Sequence, residues 1–110
     1  MELHMYQEAA KKFAVYPKHT AKFYVLLGLL SEAGEVAGKV KKVVRGDKNM
    51  ALQDEEFLVE LVHELGDCLW YIAMISEEFG LDLNDIAVAN LEKLLKRKQA
   101  GTIKGSGDNR

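Results

Sequence analysis

Between residues 2 and 15 the apolar side chains fall at Leu3, Tyr6, Ala10 and Phe13, the three-to-four-residue step of a helix face. Pro17 then interrupts, because its ring nitrogen has no hydrogen to give to a helical ladder. A second helix is predicted from Thr20, its N-cap, to about Arg45, with Gly46 as a left-handed stop. Its apolar arc includes Val25, Leu29, Val36 and Val40. The polar run "GDKNMALQD" reads as a connection. Asp54 caps a third helix over about 55–79, ended by Gly80, whose expected buried arc is Phe57, Leu61, Leu65, Cys68, Ile72, Ile75 and Phe79. Asp82 or Asn84 caps a fourth over about 85–99, ended by Gly101. Strand-like alternation is nearly absent. The pattern predicts an all-α protein, an antiparallel bundle of about four helices, in one domain over residues 1–100. The last ten residues, "GTIKGSGDNR", hold three glycines and no periodicity. They are expected to form a flexible tail, with a lid over the site as the other use for them.

Composition adds three constraints. A chain of 110 residues buries a smaller share of its surface than a larger one, so an oligomeric core is expected. A net charge of −2 gives no basic excess, so no nucleic-acid polymer is expected as a partner. The single cysteine, Cys68, fits a reducing compartment. The charged N-terminal stretch does not read as a secretory signal, and no run approaches the ~20 apolar residues of a membrane span. A cytoplasmic protein without a membrane partner is expected.

The candidate chemistry lies in two short motifs, "EAGE" at 32–35 and "ELGD" at 64–67. Positions i and i+3 share a helix face, so Glu32 pairs with Glu35 and Glu64 with Asp67. The two motifs are equidistant from the predicted connection. In an antiparallel hairpin they therefore stand level, on neighbouring helices in mid-bundle. Clustered carboxylates beside a core repel and resist desolvation, so shared protons, basic partners or metal ions must offset them. Four oxygen ligands without histidine or cysteine suit Mg²⁺, or Mn²⁺, better than Zn²⁺. A di-iron site usually needs two Glu-x-x-His motifs, and His63 after Glu60 supplies only one. Gly34 and Gly66, costly in helices, are expected to let the two helices approach closely.

On the fourth helix, Asn90, Lys93 and Arg97 share a face. Lys39 and Lys42 on the second helix face the carboxylate side. These cations either settle helix C-terminal dipoles or hold phosphate oxygens. Tyr6, Tyr16, Phe23 and Tyr24 are core or interface residues, or a stacking surface for a base. Trp70 lies off the predicted buried arc, facing a subunit interface or a base pocket.

With "LLSEAGEVAGKVKKVVR", "ELVHELGDCLWYIA" and "NLEKLLKRK" in this order, the chain resembles the MazG-like nucleotide pyrophosphohydrolases of the all-α NTP pyrophosphatase superfamily over roughly residues 6–98. The resemblance implies hydrolysis of a nucleoside triphosphate (NTP or dNTP) between its α and β phosphates, giving the monophosphate and pyrophosphate. It implies Mg²⁺ on Glu32, Glu35, Glu64 and Asp67. It also implies phosphate contacts from Lys93 and Arg97, a sugar or phosphate contact from Asn90, and a homodimer or homotetramer. Glu32 or Glu35 is the expected general base. Ser31 departs from the acidic residue that many relatives carry before the first motif, which bears on the number of metal ions and on the base. The competing class is a non-enzymatic helical interaction module that docks its acidic stripe on a basic partner.

Overall fold

The computed structural model describes residues 1–47 and 51–110, so the middle of the predicted connection lies outside the described residues. Four α-helices follow in order: α1 Leu3–Ala10, α2 Ala21–Arg45, α3 Glu55–Glu78 and α4 Leu83–Ala100. No strand occurs among the described residues. The all-α class and the four helices are those expected.

The helix ends obey local chemistry unevenly. Gly46 and Gly101 close α2 and α4 in the left-handed conformation, at φ 83° and 72°. Asp82 caps α4 by accepting a hydrogen bond from the Asn84 amide at 2.7 Å. Thr20 does not cap α2, because a 3-10 turn over Lys18–Thr20 leads directly into the helix. Asp54 precedes α3, but its side chain accepts from the Ala51 amide instead. The first helix is shorter than its periodicity suggested. After Ala10 it tightens into a 3-10 turn over Lys11–Phe13. The tighter winding rotates Phe13 off the buried face and leaves it 71% exposed.

The packing centre is the antiparallel pair of α2 and α3. Ala10, Val25, Ala73, Met74 and Leu83 form the buried core, with Tyr6, Tyr16, Trp70 and Tyr71 among the residues against it. The core thus sits toward one end of the hairpin, where α1 crosses α3 and α4 begins. Gln7 of α1 fastens that junction. Its amide nitrogen donates to Glu77 at 2.8 Å and to the Leu81 carbonyl at 2.9 Å, and its oxygen accepts from the Leu83 amide at 2.6 Å.

Two expectations about α3 are corrected by this arrangement. Trp70 turns inward: its indole nitrogen donates to the Ala10 carbonyl at 3.1 Å, and its ring meets those of Tyr16 and Tyr71 edge-on. Of the predicted arc, Phe57 is buried as expected but Leu65, Ile72 and Phe79 are exposed, and Ala73, Met74 and Ser76, outside the arc, are buried instead. The reason is geometric. Both α1 and α2 lie against α3, so its buried face is the one between them. The part of the predicted apolar face at Leu65, Ile72 and Phe79 remains open in the single chain. α4 packs on α1 and on the end of α3, with no approach to α2. The radius of gyration is 17.0 Å, against about 13 Å for a compact domain of this length.

The close approach of α2 and α3 depends on Gly28, not on Gly34 or Gly66. The ring of Tyr71 lies directly over Gly28, where a methyl group would overlap it. Gly34 and Gly66 have nothing within 4 Å of an added Cβ, so their helices do not need them small. Gly28→Ala is therefore expected to destabilise the fold by about 1–3 kcal/mol in urea unfolding. Most of that cost should vanish when Tyr71 is already shortened to leucine, a coupling that a double-mutant cycle measures.

Candidate active site

The α2–α3 hairpin sets Glu32 opposite Asp67, Lys39 opposite Glu60 and Gly28 opposite Tyr71, each pair equidistant from the middle of the connection. One oxygen from each of Glu32, Glu64 and Asp67 lies within 4.8 Å of the others. Burial, and then the charges of Asp67, Glu64 and Glu35, push the Glu32 carboxyl above its usual range. Glu35 is exposed and outside the group of three, but its charge still reaches Glu32. Lys39 offers partial compensation, with Nζ 3.5 Å from Glu60 and 3.7 Å from Glu64.

An aromatic wall borders the acids. Tyr16 stacks on Tyr24 with centroids 5.1 Å apart, and Trp70 and Tyr71 meet edge-on at 5.0 Å. Burial, a hydrogen bond with Tyr24 and the fields of Glu32 and Asp67 push the Tyr71 phenol up to about 12. Burial and the nearby Asp67 also raise the Tyr6 phenol. Beside this wall a cavity of about 250 Å³ is lined by Tyr24, Leu27, Gly28, Ser31 and Tyr71. Tyr71, which lines the cavity, is within reach of the charges of Glu32 and Asp67, so the cavity opens near the acids. Phe23, the other aromatic residue singled out from sequence, is 73% exposed. Periodicity missed the pairing of Gly28 with Tyr71. The equidistance that aligned the carboxylates would have found it.

The basic residues separate into groups. Lys39 is at the acids, whereas Lys42 is exposed and its charge acts on Asp47. Asn90 is exposed on α4. Lys93 and Arg97 meet Asp108 of the chain's own tail, at 3.2 and 3.1 Å. α4, which carries Asn90, Lys93 and Arg97, packs on α1 and on the end of α3 and not on α2, the helix of Glu32.

The family model for the MazG nucleotide pyrophosphohydrolase domain matches residues 22–102, which takes in both acidic pairs and the basic face of α4. The chain belongs to the MazG family. Gene 37 protein of Mycobacterium phage L5 is 40% identical over the full length of both chains. YvdC, an uncharacterized protein of Bacillus subtilis (strain 168), is 36% identical over 73 residues, 63% of this chain and 68% of its own. No solved structure matches the chain.

The three converging carboxylates of this MazG chain fit a hard divalent cation, which takes oxygen donors and relieves their mutual repulsion. Burial, followed by the charges of Glu32, Glu64 and Asp67, raises the Cys68 thiol above its ordinary range. No helix among the described residues is long and apolar enough to cross a membrane.

Proposed function

We propose that the protein hydrolyses a nucleoside triphosphate between the α and β phosphates, with Mg²⁺, or Mn²⁺ in its place, held by Glu32, Glu64 and Asp67. The observation that carries this reading is the convergence of those three carboxylates across α2 and α3, in a chain of the MazG family. A divalent cation supplies charge neutralisation of the triphosphate and activation of water when bound. The chain's own groups divide the remaining work. Lys39 orients Glu64 through their ion pair. Glu35 stands outside the group of three yet close enough to act on Glu32, and serves either as a fourth ligand or as the base that takes the water's proton. Lys93, Arg97, Asn90 and Lys42 serve the phosphates and sugar. The cavity at Tyr24 and Tyr71 is the place for the base, which every nucleotide presents as a flat apolar face.

The same reading includes a homodimer or homotetramer. Leu58, Val62, Leu65, Leu69 and Ile72 alternate at steps of four and three along α3, and all are exposed. That is the spacing of a helix seam, and a second copy covering it completes the core. The unpaired Cys68 thiol suits a reducing, cytoplasmic setting.

A panel of NTPs and dNTPs with Mg²⁺ tests the proposal. Pyrophosphate release is expected from at least one nucleotide and should cease on chelation with EDTA. Silence on every nucleotide, with no Mg²⁺-dependent thermal shift, would return the protein to the class of interaction modules. Light scattering on the same samples reads the oligomeric state.

A further inference from the structure

The face of α4 that offers Lys93 and Arg97 already holds an anion, and the chain itself supplies it. Arg97 is 7% exposed, an unusual burial for a guanidinium. Its Nη2 donates to the Gly107 carbonyl at 3.3 Å and to Asp108 Oδ1 at 3.1 Å, and its Nε is buried without a hydrogen-bond partner. Lys93 Nζ reaches the same Asp108 oxygen at 3.2 Å. One carboxylate oxygen therefore bridges two cations. The segment is clamped in place by Arg110, which donates to the carbonyls of Thr102, Ile103 and Gly107. Turn bonds from the Thr102 amide to Arg97 and from the Gly105 amide to Thr102 complete the fold-back.

We propose that residues 101–110 dock Asp108 as an internal stand-in for a phosphate group, which a polyanionic ligand must displace to reach Lys93 and Arg97. The inference rests on the reading that these two cations hold phosphate. The geometry supports exchange over a permanent seal. The Asp108 side chain is 83% exposed and Lys93 is 43% exposed, so solvent and a competing anion reach the bridge from outside. The two cations hold the Asp108 carboxyl below its usual range, so it is charged throughout neutral pH. A single carboxylate gives Arg97 one oxygen, whereas a phosphate presents several to the guanidinium fork and to the unpaired Nε. The tail thus raises the threshold for weakly charged ligands and yields to triphosphate or pyrophosphate.

The test is calorimetric titration of inorganic pyrophosphate into metal-free protein, which leaves nucleotide turnover out of the readout. Asp108→Asn is expected to bind pyrophosphate about three- to tenfold more tightly than the wild type. Lys93→Ala is expected to bind more weakly in both backgrounds. In the wild type, hydrogen exchange at the Gly105 amide should accelerate as pyrophosphate is added, which reads tail release without any variant. Equal or weaker binding by Asp108→Asn, binding indifferent to Lys93, or unchanged exchange at Gly105 would overturn the proposal. Failure of the hydrolase reading shows separately, as absent nucleotide turnover with the competition at Lys93 intact.

Discussion

Glu32→Gln is expected to abolish turnover, by about a hundredfold or more, while making the metal-free protein more stable. The two effects have one cause. Glu32 is the acid on α2 that meets Glu64 and Asp67 from α3, so the group of three loses its bridging member without it. The neighbours that fit it for a cation also repel it when no cation is present. Its carboxyl is raised by burial and by Asp67, Glu64 and Glu35, so its charged form is the disfavoured one in the fold.

The sign of the pH dependence follows. A carboxyl whose folded pKa lies above its unfolded value weakens the fold as pH rises through that interval. At neutral pH the wild type carries the full cost of the charge, and the glutamine does not. Allowing for solvent screening, the variant's melting temperature in EDTA should lie about 2–4 °C above the wild type, as ~0.5 kcal/mol produces in a domain of this size. Below the unfolded pKa, where the carboxyl is protonated in the folded and unfolded states alike, the two melting curves should converge. Saturating Mg²⁺ should reverse the order, because only the wild type gains from binding it. A glutamine variant that is less stable in EDTA at neutral pH would show that Glu32 is not under this repulsion.

Gln7→Ala is expected to cost about 2–4 kcal/mol and to lower the melting temperature by roughly 10–20 °C. Gln7 is 5% exposed and uses both ends of its amide. Truncation removes the bond to Glu77 and leaves the Leu81 carbonyl and the buried Leu83 amide without this partner. An unmade bond of that kind costs more than a made one gains. Gln7→Glu sharpens the test. It keeps an acceptor for Leu83 but sets a second carboxylate against Glu77, and is expected to be at least as damaging at neutral pH. The damage should ease in acid, where one of the two carboxylates takes a proton. A fully tolerated alanine would mean that the junction of α1, α3 and α4 is held by apolar packing alone.

The aromatic and acidic residues illustrate what a one-dimensional reading resolves. The level placement of Glu32 with Glu64 and Asp67 followed from equal distance to a turn, and neighbouring antiparallel helices have little freedom to violate that rule. The role of Trp70 was not legible. A helical wheel has one buried direction, and α3 has two neighbours, α1 and α2, whose combined direction depends on where the short α1 lands. The same ambiguity exchanged Leu65 and Ile72 for Ala73 and Met74 as core residues. Gln7 gave no signal, since a polar residue at the border of an amphipathic stripe reads as surface. Its burial is created by Leu81 and Leu83, more than seventy residues away.

The sequence by itself determined the all-α class, the number of helices, the level placement of Glu32 with Glu64 and Asp67, and the family membership that the order of the motifs announces. Those properties depend on local spacing, capping and the symmetry of a hairpin, all of which are written in consecutive residues. Only the tertiary structure decided which of two apolar faces of α3 is filled, that Gly28 and not Gly34 or Gly66 carries the close contact, and that Lys93 and Arg97 meet Asp108. Each of these depends on where a distant segment comes to rest. That position is fixed by the balance of burial, unpaired polar groups and charge over the whole chain, which no local pattern contains.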